Sequence, residues 1–212
     1  MALIAVIDYK AGNLTSVVKA LTALGADARV TDDPAVIRAA ERVVLPGVGH
    51  FAATERLHAT GMEEAARDVI AAGVPFLGIC VGLQWLFEGS TEAPGLRGLG
   101  ALQGLCERFP DTYKVPHVGW NTLEPVHAGI ATSRLLAGLA PHSFVYYTHS
   151  YRAPVIHETV GATDYAGRFS GAVERGSLFG VQFHPEKSGD TGLEILRNFL
   201  RVDRSFAPER AC

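Results

Sequence analysis

Gly78-Ile79-Cys80-Val81-Gly82 follows an apolar run at residues 75–79 and opens a helical one, Leu83-Gln84-Trp85-Leu86-Phe87. A strand that turns directly into a helix holds its turn residue in a strained conformation. Side chains at the two flanking positions would strike neighbouring backbone, and glycine at 78 and 82 removes both collisions. The segment has the form of a nucleophile elbow, G-x-nucleophile-x-G, with cysteine in the serine place. It sets Cys80 at a helix N-terminus, where unpaired N–H groups and the helix dipole favour the thiolate. The plain alternative is a buried structural thiol, the usual state of a free cysteine; the glycine pair and the strand–helix context favour the reactive reading. Cys106 and Cys212 have no such setting and read as structural or incidental.

Upstream of the elbow, short apolar runs alternate with helical patterns. Residues 3–8, 28–31 and 42–45 read as strands, and 14–24, 34–39 and 62–72 as helices. This β-α-β alternation predicts an α/β fold around a central, mostly parallel sheet with flanking helices. Downstream the character changes. Short β-rich pieces at 144–147, 159–163, 172–175 and 178–182 are separated by turn signals at Ala166-Gly167 and Arg175-Gly176, which predicts added antiparallel strands. Residues 189–202 close the pattern as a helix with Leu193, Leu196, Phe199 and Leu200 on one face. No repeat, low-complexity segment or linker divides the chain. Residues 1–202 are therefore expected to form one domain and 203–212 a polar tail.

The net charge is −3, and no Lys/Arg run is present, which argues against a nucleic-acid binder. The first eight residues enter an apolar run without a basic preamble and read as a strand rather than a signal, and no apolar stretch reaches membrane-spanning length. Three scattered cysteines without CxxC spacing argue against a disulfide framework or a zinc site. The expectation is a cytoplasmic protein with no metal, no cofactor, no nucleic-acid partner and no membrane partner.

Sheets of this class hold ligands at the carboxyl ends of their strands. Three strands end in unusual loops: Leu45 into Pro46-Gly47-Val48-Gly49, Ile79 into Cys80, and Val181-Gln182-Phe183 into His184. Pro185 restricts His184 to an extended backbone, and Glu186 can hydrogen-bond one ring nitrogen, leaving the other for Cys80. On its own, His184 reads equally well as a capping histidine before a turn proline; beside the elbow, the general-base reading prevails. A backbone N–H of Val48 or Gly49, with that of Val81, can supply an oxyanion hole. His50 reads as a loop residue, and Trp85, Phe87, Tyr146 and Tyr147 as core aromatics.

Together, Gly78-Ile79-Cys80-Val81-Gly82-Leu83-Gln84, Pro46-Gly47-Val48-Gly49 and Phe183-His184-Pro185-Glu186 resemble the motifs of the triad (class I) glutamine amidotransferases. The resemblance covers residues 4–200. It narrows to one branch, in which the glutaminase is a separate chain serving a cyclase subunit of histidine biosynthesis. The narrower match rests on Asp8-Tyr9-Lys10-Ala11-Gly12-Asn13-Leu14, Pro116-His117-Val118-Gly119-Trp120-Asn121, Tyr147-Thr148-His149-Ser150-Tyr151 and His184-Pro185-Glu186-Lys187-Ser188. Residues 101–106 depart mildly from the family pattern without touching a catalytic position.

The resemblance implies a single-domain class I glutamine amidotransferase fold. It implies that Cys80 attacks the glutamine side-chain amide to form a γ-glutamyl thioester, that His184 protonates the departing ammonia and then activates water, and that Glu186 orients His184. It makes Gly47, Gln84, Ser150 and Tyr151 substrate-binding. Ammonia freed into neutral water is mostly protonated and no longer nucleophilic, and the chain has no room for an acceptor domain. A separate acceptor is expected, which the resemblance identifies as a (β/α)8-barrel cyclase forming a heterodimer. Asn13, Trp120, Asn121, Tyr146 and Lys187 are its candidate contacts, Trp120 foremost, each equally readable as ordinary surface or core. A glutaminase feeding another synthase, a non-catalytic relative, and a cysteine hydrolase of a different amide or ester are the competing readings.

Overall fold

The structure, a computed structural model, describes residues 3–11, 13–126 and 133–204. Its first half runs β1 (Leu3–Ile7), α1 (Leu14–Ala23), β2 (Asp27–Thr31), α2 (Pro34–Ala39), β3 (Arg42–Gly47), α3 (Glu55–Ala59), α4 (Met62–Ala71), β4 (Phe76–Cys80) and α5 (Val81–Leu86). Local signals place these elements. At α2, Asp33 accepts a hydrogen bond from the Ala35 N–H at 2.8 Å and Pro34 occupies the first turn, where a missing N–H costs nothing. All five residues of β4 are buried, as a strand covered on both faces requires.

The second half runs β5 (Gly89–Ser90), β6 (Leu105–Arg108), β7 (His117–Pro125), β8 (Ser143–His149), β9 (Tyr151–Arg152), β10 (Thr159–Asp164), β11 (Arg168–Arg175), β12 (Leu178–Val181) and α6 (Gly189–Arg201). Among the described residues, nine strands form one sheet in the order β2-β1-β3-β4-β12-β11-β10-β7-β8. From β2 to β12 the pairings are parallel, and from β12 to β8 antiparallel. The expected parallel centre is present, and its antiparallel extension is as wide as the centre itself. A small sheet, β5-β6-β9, lies apart from the large one.

Three features differ from the sequence reading. β3 continues two residues past Leu45, because Pro46 and Gly47 still pair with Ile79 and Cys80. The long strand β7 escapes a propensity reading because Gly119, Asn121 and Pro125 dilute its pattern, yet its seven-residue register with β8 holds it extended. On α6 the buried residues are Gly192, Ile195, Leu196, Asn198 and Phe199, with Leu193 and Leu200 only partly buried. A Cβ at Gly192 would lie 1.9 Å from the Pro185 carbonyl oxygen, so the helix packs directly on the turn that follows His184. Cys212 and the tail beyond residue 204 lie outside the described residues.

Candidate active site

β3, β4 and β12 are consecutive neighbours in the sheet, so the three unusual strand ends meet. Cys80 sits between β4 and α5 with φ 54° and ψ −107°, a left-handed region that a non-glycine residue adopts only when its surroundings enforce it. The enforcement is steric. A Cβ at Gly78 would lie 2.6 Å from the Gly82 oxygen, and one at Gly82 would lie 1.9 Å from the Leu45 oxygen. The turn can close only with glycine at both places.

His184 follows β12, and its Nδ1 lies 2.9 Å from Glu186 Oε1, both side chains being 1% exposed. Among the described residues its Nε2 has no partner in hydrogen-bond geometry. Burial by itself would lower the His184 pKa; the Cys80 and Glu186 side chains outweigh it and raise it to about 9. The raised value favours the imidazolium form, in which one N–H is on Glu186 and the other faces the Cys80 sulfur. The backbone of His184 is pinned to β8: its N–H donates to the Tyr146 carbonyl at 2.9 Å, and its carbonyl accepts from Ser188 Oγ at 2.7 Å. Ser188 Oγ in turn accepts from the Tyr146 N–H at 2.9 Å.

A cavity of ≈190 Å³ opens on the sulfur, lined by Gly49, Cys80, Val81, Gln84, Glu92, Pro116 and residues 148–151. Gly49 (φ 95°) and Val81 thus border it on either side of Cys80. Val48 is half-buried beside them, and Gly47 pairs directly with Cys80. Gln84, expected on the Cys80 face of the helix, is buried. Its Nε2 donates to the Tyr151 carbonyl at 2.9 Å and to Gln182 Oε1 at 3.2 Å. With both amide hydrogens committed, Gln84 offers the cavity its oxygen.

The candidate partner contacts divide into two groups. Trp120 is 55% exposed, edge-on to Tyr146 with ring centroids 6.0 Å apart, on the outer face of the β7–β8 hairpin. Val118 and Phe144 extend this face, at 53% and 57% exposed. Lys187 is exposed on the 3-10 turn before α6. Asn13 instead caps α1, with Oδ1 accepting from the Ser16 N–H and Nδ2 donating to Ser16 Oγ at 2.7 Å. Asn121 turns inward, donating to the Asp164 carbonyl at 3.1 Å. Trp85, Phe87 and Tyr147 are core residues as expected, whereas Tyr146 is half-buried. His50 caps a short 3-10 turn through Nδ1. Burial pushes the Cys106 thiol up, away from reactivity.

The sequence reading missed Gln182 and Glu92. Gln182 is fully buried, and its Nε2 donates to Cys80 Sγ at 3.6 Å. An amide inside an apolar strand was the available signal, because a buried amide needs partners. Glu92 sits in a loop whose place on the cavity rim has no local sequence signature. Among the described residues no cluster of His, Cys, Asp and Glu could hold a metal ion, and no helix is long and apolar enough to cross a membrane.

The family profile described as "Glutamine amidotransferase class-I" matches residues 5–202. The imidazole glycerol phosphate synthase subunit HisH of Moorella thermoacetica is 48% identical over 204 residues, covering 95% of each chain. That of Methanothermobacter thermautotrophicus is 45% identical over 205 residues, covering 96% of this chain and all of its own. Among solved structures, a glutamine amidotransferase superposes with a TM-score of 0.72 at 20% identity, covering 93% of this chain and 96% of that one. PurLQS from Thermotoga maritima gives 0.71 at 18% identity, covering 94% and 98%; both likenesses speak to the fold. A cysteine elbow, a buried His–Glu pair and this fold, together with near-full-length relatives, lead to one assignment: the chain belongs to the class I glutamine amidotransferase family, in the branch of the imidazole glycerol phosphate synthase HisH subunits.

Proposed function

We propose that this chain is the glutaminase subunit of an imidazole glycerol phosphate synthase, working in the cytoplasm, with Cys80, His184 and Glu186 as its catalytic triad. The observation that carries the reading is the enforced positive φ of Cys80 beside a buried His184–Glu186 pair. Cys80 Sγ, its proton transferred to His184 Nε2, attacks the side-chain amide carbon of glutamine. The carbonyl oxygen takes the negative charge against backbone N–H groups from Val48 or Gly49 and from Val81. The tetrahedral intermediate collapses with the C–N bond breaking, His184 giving its proton to the departing nitrogen. Ammonia leaves and a γ-glutamyl thioester remains. Water then attacks the thioester carbon, its proton passing to His184, and glutamate leaves as the thiol is restored. Glu186 holds the imidazole through Nδ1 and stabilises its charged form.

Gly47, Gln84, Ser150 and Tyr151 line or flank the substrate. The Gln84 oxygen and the Glu92 carboxylate are acceptors suited to the donors of an amino acid's ammonium group. Ammonia passes to a (β/α)8-barrel cyclase docked as a heterodimer against the Trp120–Tyr146 face. An exposed apolar patch of Val118, Trp120 and Phe144 supports that placement. Lys187, exposed on the turn before α6, is a further contact on this side, whereas the side chains of Asn13 and Asn121 are engaged within the chain.

The test is Cys80→Ala in the assembled synthase. Glutamine-dependent synthesis should fall by at least about 1,000-fold while synthesis from added ammonia persists; equal loss of both would contradict ammonia transfer. The chain alone should turn glutamine over slowly and respond to the cyclase with its ligand bound. Rapid turnover without a partner would count against the assignment to a channelling subunit.

A further inference from the structure

At the cavity wall two histidines meet ring to ring. His117 on β7 and His149 on β8 are opposite each other in the sheet register, 4% and 6% exposed, with His117 Nδ1 3.0 Å from His149 Nε2. Their protonation can be worked out from one end. The Tyr151 carbonyl lies 2.8 Å from His149 Nδ1; a carbonyl only accepts, so that nitrogen carries a proton. Burial, with positive charge on Arg152 and His184 nearby, depresses the His149 pKa to about 3, and burial depresses that of His117 to about 4. Both rings are therefore neutral. His149 Nε2 is then an acceptor, His117 Nδ1 must be its donor, and His117 Nε2 accepts from Asn121 Nδ2 at 3.4 Å. Tyr165 and Tyr147 stack on the two sides of the His117 ring, with centroids 4.1 and 4.9 Å away.

The resulting chain runs in one direction, from Asn121 through His117 and His149 to the Tyr151 carbonyl. A second chain arrives at the same oxygen. Gln84 Nε2 donates to it and to Gln182 Oε1, and Gln182 Nε2 reaches Cys80 Sγ. An inverted Gln84 amide would set oxygen against the Tyr151 oxygen and against Gln182 Oε1. The orientation of Gln84 thus depends on where the Tyr151 carbonyl is held, and His149 Nδ1–H is the second donor that holds it.

We propose that His117 and His149 are positioning residues of the glutaminase site: through a one-way chain of hydrogen bonds they fix the Tyr151 carbonyl, which fixes the orientation of the Gln84 amide and keeps its oxygen as the acceptor presented to substrate. Neither ring transfers a proton in the reaction. This inference rests on the glutaminase reading and adds to it two residues outside the triad and the cavity's charged groups.

Two measurements test it. Long-range 15N–1H correlation spectra of the full chain should find both rings in the neutral Nδ1–H tautomer from about pH 5.5 to about 8. An Nε2–H tautomer of His149, or its protonation in that range, would overturn the chain. In the assembled synthase, His149→Leu should raise the KM for glutamine about tenfold, the effect of one lost buried hydrogen bond, and leave ammonia-dependent synthesis unchanged. His149→Asn restores a donor at the Nδ1 position and should bring KM back to within about threefold of the parent. His117→Phe keeps the stack on Tyr147 and Tyr165 but removes both bonds, so its KM should rise at an unchanged melting temperature. A parent protein without glutamine turnover would sink the glutaminase reading and this inference with it. A parent that turns over glutamine, with unchanged KM in His149→Leu, would sink the histidine pair alone.

Discussion

The parallel side of the sheet and its antiparallel extension do different work. From β2 to β12, strands and helices alternate, β4 and β12 are wholly buried, and the residues for chemistry sit at strand ends. From β12 to β8, hairpins carry side chains alternately inward and outward: Val145, Tyr147 and His149 face the core while Phe144 and Tyr146 face out. In the proposed mechanism the parallel side supplies the nucleophile, its base and the oxyanion strand. The antiparallel side supplies the far cavity wall at residues 148–151 and the exposed apolar face. The two sides meet at His184, whose backbone is bonded to Tyr146 of β8 while its ring lies beside Cys80 and pairs with Glu186. A rigid centre for bond breaking and a half-solvated extension for recognition are what these two kinds of strand are physically suited to.

If that division is right, damage on each side should read out differently. The largest effect is expected at Gly82→Ala, where the new Cβ would lie 1.9 Å from the Leu45 oxygen. It should cost roughly 3 kcal/mol or more of folding stability in a urea melt; a stability close to the parent's would show that the elbow has slack. Next comes Glu186→Gln, which should lower the turnover number for glutamine about 100-fold with little change in stability. The sign of its pH effect follows from the raised pKa. His184 is an imidazolium below about 9 and loses its proton as pH rises through that value. Removing the Glu186 charge lowers that pKa, so the alkaline limb of the pH–rate profile should move to lower pH. The smallest is Trp120→Ala on the antiparallel side. It should weaken binding of the cyclase by about 2 kcal/mol, roughly 30-fold in Kd by calorimetry, while leaving the melting temperature unchanged. Loss of stability without loss of binding would place Trp120 in the fold rather than at an interface.

The parallel side was largely legible in the sequence because its signals are local. Gly78 and Gly82 around Cys80, the Asp33-Pro34 helix start and the apolar runs of β1, β3 and β4 each report on a few neighbouring residues. The antiparallel side was less so. β7 holds its conformation through β8, and the inward turn of Asn121 towards His117 depends on that pairing. Asn13 illustrates the opposite case: a local cap accounts for its side chain, and nothing beyond that is required to explain it.

From the sequence alone came the elbow at Cys80, the His184–Glu186 pair two residues apart, the α/β plan and the expectation that an acceptor is a separate chain. Short-range sterics and spacing suffice for each of these. Tertiary structure alone decided that β3, β4 and β12 lie side by side, that Gln182 reaches the sulfur, and that His149, Tyr151 and Gln84 share one carbonyl. The Gln84–Tyr151 and Gln182–Cys80 contacts join residues 67 and 102 positions apart, and pairing over such distances is set by the packing of the whole sheet rather than by any segment within it.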